Sequence, residues 1–511
     1  MWRVKKGEPR ILVVTPEITS LPAGMSAMGS YLRAKAGGLA DVSAALVGAL
    51  YRQGADVHVA LPHYRKMFHI DVGNLISDEL RVYMSNLHNS RIHLAEDRIF
   101  YYRDAVYSHY SGDTFMQSLA FQREVINNII PQVKPDLIHC NDWMTGLIPA
   151  AARRMGIPCL FTVHNIHTQK WTLAQIEDRG IDAAPFWQYL YYDRPPYNYE
   201  ESRESNPVDF LTSGIFAAHF INTVSPTFLR EIVDGRHDFV PDNIRREIAG
   251  KFHAGCASGI LNAPDAGSDP EIDEFLETKY TGANCVEGKK VNKIAFQART
   301  GLKVDQHAPL FFWPHRLDPV QKGCQLLADL TYDIVHRYWE DGLQIAIVAD
   351  GEYQKVFRDI IAYHNFYDRV MVCDFDEELS HLGFAASDFM LMPSRFEPCG
   401  LPQMTCQYYG SLPVVHDTGG LHDTVDHLSE DGNSGNGFVF RDYDRGGLSW
   451  GVDEAMRFHR RDPERKARVV ARIMDEAKER FNHDVTAQAY IRIYESMLAR
   501  PLITHHHTQG R

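Results

Sequence analysis

The chain has 511 residues, of which 44% are hydrophobic and 23% charged, and its formal net charge is −13. That is globular composition, with enough chain for two domains with full cores. An acidic chain argues against nucleic acid and against anionic membrane surfaces, which reward dense Lys and Arg. The cationic partners of any anionic ligand therefore have to be local.

The eight cysteines are Cys140, Cys159, Cys256, Cys285, Cys324, Cys373, Cys399 and Cys406. No two have CxxC spacing, and several lie in apolar runs such as Cys159-Leu160-Phe161. They read as free buried thiols in a reducing compartment rather than zinc ligands or disulfides. The N-terminal apolar run covers only residues 11–14, too short for a signal peptide. No stretch is long enough to span a bilayer, so a cytoplasmic location is expected.

In chain order, the short apolar, β-branched runs at 11–15, 56–61, 136–140, 159–164 and 219–224 read as buried parallel strands. Residues 41–53 have helical spacing of Val42, Ala45, Leu46 and Leu50. The alternation stalls at 262–277, an acidic stretch with Pro, Gly and Ser that reads as a linker or surface excursion. It resumes with strands expected at 310–313, 343–348, 369–373, 388–392 and 412–415, and helices at 321–338, 351–364, 377–386 and 400–409. Residues 453–498 read as helical, with stops near Asp462-Pro463 and Phe481-Asn482, and His505–His507 fall in a polar tail. The pattern predicts an α/β protein of two Rossmann-like, doubly wound domains facing across a cleft. Motifs that directly follow strands are then the candidate sites.

Five motifs carry chemistry. In Lys35-Ala36-Gly37-Gly38-Leu39-Ala40-Asp41, a Gly pair opening a helix lets backbone N–H groups approach a phosphate, with Lys35 adding charge. An ordinary loop capped by Asp41 fits the same residues. Asn141-Asp142-Trp143 sets a carboxylate beside an indole, a common sugar-binding pair. A helix cap with Trp143 as core filler fits equally well. His164 ends an apolar strand, where it can bond a reacting group or serve the structure alone. Arg316 and Lys322 follow a strand and suggest a diphosphate clamp, against the alternative of two solvated loop charges. Glu397, between Phe396 and Pro398, is held by a restrained turn before Cys399, Gly400 and Leu401 open a helix. Thr418-Gly419-Gly420 repeats the Gly-pair device. The pairs Asp374/Asp376 and Asp442/Asp444 have DxD spacing, which can hold Mg²⁺. Such pairs are common by chance and the local cations make a metal unnecessary, so no metal and no cofactor is expected.

Taken together and in this order, KAGGLADV, HCNDWMTGL, TVHN, TVSPT, GILN, PSRFEPCGL and TGGLHDTV resemble the motifs of the bacterial glycogen and starch synthases. The resemblance runs from about residue 10 to the helix around 481–494. It implies a two-domain GT-B glycosyltransferase: 1–258 on the acceptor side, 259–480 binding the nucleotide sugar, 481–500 a helix packing back on the first domain, and 501–511 a tail. The implied reaction is metal-free, retaining transfer of an α-glucosyl group from ADP-glucose, or UDP-glucose, to the non-reducing end of an α-1,4-glucan. By motif, Lys35, Gly37, Gly38 and Asp41 would meet the nucleotide, and Arg316 and Lys322 the leaving diphosphate. Asp142, Trp143, His164, Asn262 and Glu397 would surround the glucose. Cys399, Gly400, Leu401, Thr418 and Gly419 would offer backbone donors, and Phe375 would face the base. The chain departs from the family pattern in a loop one residue longer between Arg316 and Lys322, in Ala263-Pro264 after GILN, and in Phe481-Asn482-His483 at the C-terminal F-x-W. A catalytically weak glucan-binding homologue, or a related two-domain transferase with another donor or acceptor, is the alternative reading.

Overall fold

The computed structural model describes residues 8–25, 32–35, 38–68, 91–106 and 111–503. Gly37 and His505–His507 lie outside them. The chain forms two compact units. Unit 1 comprises Met1–Val224, Leu229–Ile260 and His483–Arg511, and unit 2 comprises Ser225–Phe228 and Leu261–Asn482.

Fifteen strands are described: β1 (Arg10–Val14), β2 (Asp56–Pro62), β3 (Ile92–Ala95), β4 (Leu137–Asn141), β5 (Cys159–Val163), β6 (Lys170–Trp171), β7 (Val208–Asp209), β8 (Phe220–Thr223), β9 (Ala257–Gly259), β10 (Leu310–Trp313), β11 (Gln344–Val348), β12 (Val370–Cys373), β13 (Phe389–Met392), β14 (Leu412–His416) and β15 (Phe438–Phe440). Unit 1 holds a parallel sheet ordered β3-β2-β1-β4-β5-β8-β9, and unit 2 one ordered β12-β11-β10-β13-β14-β15. β6 and β7 form a small antiparallel pair. Each large sheet is a doubly wound α/β layer, as the alternation predicts. The central strands are buried along their whole length: every residue of β4, β5, β11 and β14 is buried, the polar His139, Asn141 and Thr162 included. The strand order reverses between β1 and β4 and between β10 and β13, and ligands of such sheets bind beyond the carboxyl ends at that reversal.

The stretch 262–277 is fastened to unit 2 rather than being a free linker. Asp273 is buried and accepts bonds from Tyr409 Oη at 2.5 Å and His381 Nδ1 at 2.8 Å. Lys478 pairs with Asp269 at 2.9 Å and Glu271 at 2.6 Å.

The last helix, His483–Leu498, returns to unit 1 and docks through a buried polar chain. Tyr494 Oη lies 2.8 Å from His139 Nδ1, and His139 Nε2 lies 2.6 Å from Thr162 Oγ1. Thr162 donates to Asn222 Oδ1 at 2.6 Å, and Asn222 Nδ2 donates to Tyr490 Oη at 3.0 Å. Because the Thr162 proton goes to Asn222, His139 donates from Nε2 and accepts from Tyr494. Burial lowers the His139 pKa to about 3, which keeps the ring neutral as this sequence of bonds requires.

Candidate active site

The candidate residues of unit 1 begin where β4 ends. Asp142 adopts φ 58° and ψ 179°, a conformation that is strained for any residue but glycine. Its carboxylate holds it there: Oδ1 accepts the backbone N–H of His164 at 2.8 Å and Oδ2 accepts Asn165 Nδ2 at 2.9 Å. Burial raises the Asp142 pKa to about 7. The bonds from His164 and Asn165 oppose the rise, and the charge of the buried Glu17 adds to it. His164, at the end of β5, puts Nε2 3.0 Å from Asn141 Oδ1, while Asn141 Nδ2 donates to Val14 at 3.2 Å. The Asn141 amide is thereby oriented, so His164 carries its proton on Nε2 and presents Nδ1 as an acceptor. Dense packing lowers its pKa to about 4, so the ring is neutral near pH 7.

Trp143 is buried, its ring parallel to Phe115 at 6.2 Å, and Phe115 packs on Trp171 and Phe210 at 4.2 and 4.9 Å. It forms part of an aromatic floor beneath the Asp142 turn. Lys35 pairs with Asp41 at 3.0 Å at the start of the helix Gly38–Arg52.

Sequence reasoning passed over a second polar group in this unit. Beyond the carboxyl ends of β2 and β3, Glu96 binds His63 Nδ1 at 2.6 Å, Arg65 Nη2 at 3.1 Å and Tyr101 Oη at 2.7 Å. Burial alone would raise the Glu96 pKa, but these partners together hold it at about 2. No local pattern marks a carboxylate whose partners lie up to 33 residues away.

The candidate residues of unit 2 gather at the β10/β13 reversal. Arg316 follows β10, is exposed, and makes no ion pair or side-chain hydrogen bond among the described residues. Lys322 is buried, and its Nζ donates to Glu397 Oε2 at 2.5 Å. Ser394 Oγ donates to the same oxygen at 3.2 Å. Gly323 locks this contact: its φ is +74°, and a Cβ there would come within 2.1 Å of the Pro393 carbonyl oxygen. Gln321 O accepts from Arg395 N at 2.8 Å, so the Arg316–Lys322 loop and the Glu397 turn are stitched together. His315, also missed from sequence, bonds Leu391 O through Nε2 at 2.9 Å and lies tilted against the Trp313 ring at 4.3 Å. A histidine between a strand and the first candidate cation was the available signal.

The remaining candidates of this unit lie around that core. Gly420 N donates to Glu397 O at 2.9 Å, and a Cβ on Gly420 would stand 1.9 Å from Cys399 O, so the turn holding Thr418 and Gly419 packs backbone to backbone on the Glu397 segment. Cys399 is buried, which pushes its thiol up to about 12 and makes it unreactive. Gly400 has φ +72° and Leu401 caps the helix Pro402–Tyr408. Asn262 is buried with no partner for Oδ1 among the described residues. Phe375 is 55% exposed, and its N–H is fixed by Asp350 Oδ1 at 2.9 Å.

Three of the four DxD carboxylates have structural partners among the described residues. Asp376 caps the helix Glu377–Ala386 by accepting Leu379 N at 2.7 Å, Asp374 accepts from Gln354 Nε2 at 2.9 Å, and Asp444 caps Arg445–His459 through Gly447 N at 2.8 Å.

Residues 10–244 match the family model described as the starch synthase catalytic domain, and residues 297–470 match glycosyl transferases group 1. The chain is 31% identical to the glycogen synthase of Syntrophotalea carbinolica over 90% of this chain and 96% of that one. It is 32% identical to the glycogen synthase of Rhodospirillum rubrum over 92% of this chain and 97% of that one. Among solved structures, the catalytic domain of starch synthase IV from Arabidopsis thaliana, bound to ADP and acarbose, has a TM-score of 0.74 at 24% identity, covering 97% of this chain and 100% of that one. That likeness bears on the fold alone.

Proposed function

We propose, from the premise that this chain belongs to the glycogen and starch synthase family of glycosyltransferases, that it moves an α-glucosyl group from ADP-glucose to the non-reducing end of an α-1,4-glucan with retention at C1. One arrangement carries the reading: an Arg316 with no ion pair among the described residues and a Lys322 whose ammonium spends one donor on Glu397, both at the strand reversal of unit 2. Lys322 keeps two N–H donors for a ligand.

As the bond from C1 to the diphosphate lengthens, the sugar gains oxocarbenium character and the leaving group gains negative charge. Arg316 and Lys322 meet charge that grows only during bond breaking, so they lower the barrier rather than merely tighten binding. The acceptor hydroxyl attacks from the face the diphosphate leaves, and a departing phosphate oxygen takes its proton. Both described bonds to the Glu397 carboxylate fall on Oε2, which leaves Oε1 to accept a glucose hydroxyl. In unit 1, neutral His164 and Asp142 likewise offer acceptors to sugar hydroxyls. No step of this route calls for a metal.

ADP is favoured over UDP by the bacterial character of the relatives. The eight free thiols, most of them buried, suit a reducing compartment, and we assign the enzyme to the cytoplasm. No helix among the described residues is long and apolar enough to cross a membrane. Transfer of radiolabelled glucose onto glycogen from ADP-glucose and from UDP-glucose tests the reading. ADP-glucose is expected to be the better donor; equal or better turnover with UDP-glucose overturns the donor assignment, and no transfer from either overturns the whole.

A further inference from the structure

Unit 2 carries a second concave site at the other edge of its sheet. Lys303 and Asp305 precede β10, Gln344 opens β11 and Arg369 precedes β12, so the pocket of about 220 Å³ that they line lies at the amino ends of these strands. Arg316 and Glu397 follow the carboxyl ends of β10 and β13. Strands of four or five residues separate the two edges by roughly 13–17 Å.

Trp339 lines this pocket with 41% of its surface exposed. The guanidinium of Arg369 lies over its ring, 4.5 Å from the centroid. Arg369 is only 8% exposed, its Nε has no acceptor among the described residues, and the Asp368 carboxylate stands 3.9 Å away. A desolvated guanidinium short of acceptors gains from ligand oxygens. An anion, however, would also meet Asp305 and Glu340, with Asp341 already paired to Arg460 at 2.7 Å, against the two cations Lys303 and Arg369. Donors and carboxylate acceptors without net positive charge fit a neutral polyhydroxyl ligand.

The aromatic surface continues beyond the pocket. Phe366 stands 6.1 Å from Trp339 and 6.2 Å from Tyr332, and the Tyr332 ring, on the helix Cys324–Arg337, is 43% exposed. Two exposed aromatic rings joined by a buried third, beside a pocket of hydroxyl-binding groups, match a sugar polymer: C–H faces lie on the rings and hydroxyls turn to the polar side chains.

We propose that this surface is a holding site for an α-1,4-glucan chain, separate from the transfer site, with sugar faces on Trp339 and Tyr332 and hydroxyls on Arg369, Asp305 and Glu340. The inference rests on the glucan acceptor of the proposed function. Its consequence is avidity: a polymer held here raises the effective concentration of its own chain ends at the enzyme.

The experiment uses the full chain and measures retardation in native gels cast with glycogen, alongside transfer to maltotriose. Trp339→Ala and Tyr332→Ala are each expected to weaken glycogen retention roughly fivefold to tenfold, with Trp339→Phe keeping most of it and maltotriose transfer staying within about twofold. Hydrogen exchange at 332–342 and 363–370 should slow with maltoheptaose and not with ADP. Unchanged retention in both alanine variants, retention and maltotriose transfer falling together, or protection by ADP instead of maltoheptaose overturns the holding site. If the wild type neither binds glycogen nor transfers to it, the proposed function fails first, and that outcome is read from the wild type alone.

Discussion

Lys322 and Glu397, 75 residues apart in the chain, meet as a buried ion pair at 2.5 Å on the strand reversal of unit 2. Each removes the other's charge from an apolar environment, so neither can be taken away without exposing its partner to an uncompensated burial. Arg316, on the same loop, is exposed and has no such debt.

The two cations should therefore separate in experiment. Lys322→Ala is expected to lower both turnover and folding stability, the latter by about 3–5 kcal/mol for an orphaned buried charge. Arg316→Ala is expected to leave stability within about 0.5 kcal/mol and to cut kcat by roughly a hundredfold or more, the scale of one lost electrostatic donor. Urea unfolding and initial rates on both variants decide this; a large stability loss in Arg316→Ala would mean that it has structural partners.

Asp142 gives a pH signature. Its folded pKa is raised, to about 7 from an ordinary 3.8, so between these values the folded state holds more protons than the unfolded one. Its contribution is most favourable below pH 3.8 and is lost as pH rises toward 7, by a few kcal/mol in order of magnitude. His164 has the opposite sign: its pKa is lowered to about 4, so its contribution is intact above pH 6.5 and is lost as pH falls toward 4. Asp142→Asn removes the first effect and keeps the second. Its stability relative to wild type should rise from pH 4 to about pH 7 and then level off, and a difference that stays flat across that range would refute the raised pKa.

How far the sequence carries can be seen at particular residues. Apolar runs such as Leu310–Trp313 and Gln344–Val348 announce buried central strands, and Asp142, His164, Arg316 and Glu397 were found because each follows such a run. The edge strands β3, β9 and β15 were not found: they are three or four residues long and lack a continuous apolar signal. Pairings across long separations were out of reach, since nothing local to Lys322 names Glu397 and nothing near Asp273 names Tyr409. Trp143 shows a further limit. A tryptophan beside an aspartate reads the same whether its ring faces a sugar or, as in this structure, Phe115.

The polar chain through His139 predicts how the last helix is held. Tyr494→Phe removes the donor to His139 Nδ1 and leaves a buried acceptor unpaired. Stability should fall by about 1–3 kcal/mol with the KM for the sugar nucleotide unchanged. Thermal unfolding and donor titration test this, and a changed KM without a stability loss would contradict the docking role.

The DxD strings should be silent in catalysis. Asn caps a helix about as well as Asp, so Asp376→Asn is expected to keep transfer within about twofold, and Asp374→Asn likewise, because Gln354 can still be bonded. Activity should also survive EDTA. Loss of activity in EDTA together with loss in either variant would install a metal at Asp374 and Asp376.

The role of Glu397 separates a hydroxyl ligand from a nucleophile. Its Oε2 is occupied by Lys322 and Ser394, which stabilise the carboxylate as an anion and reduce its readiness to form a bond to carbon. Glu397→Gln keeps the shape and one acceptor but loses the negative charge near the oxocarbenium-like ring and strands Lys322. The variant should be slow yet measurable. A fluorinated donor, which slows the breakdown of any glucosyl-enzyme, should leave the wild-type mass unchanged. Intact-mass spectrometry followed by peptide mapping reads the result. A glucosyl increment on the peptide spanning 394–400 would establish Glu397 as the nucleophile and replace same-face attack with double displacement, while its absence under turnover, with transfer to glucan still detected, leaves the diphosphate as the group that accepts the acceptor's proton.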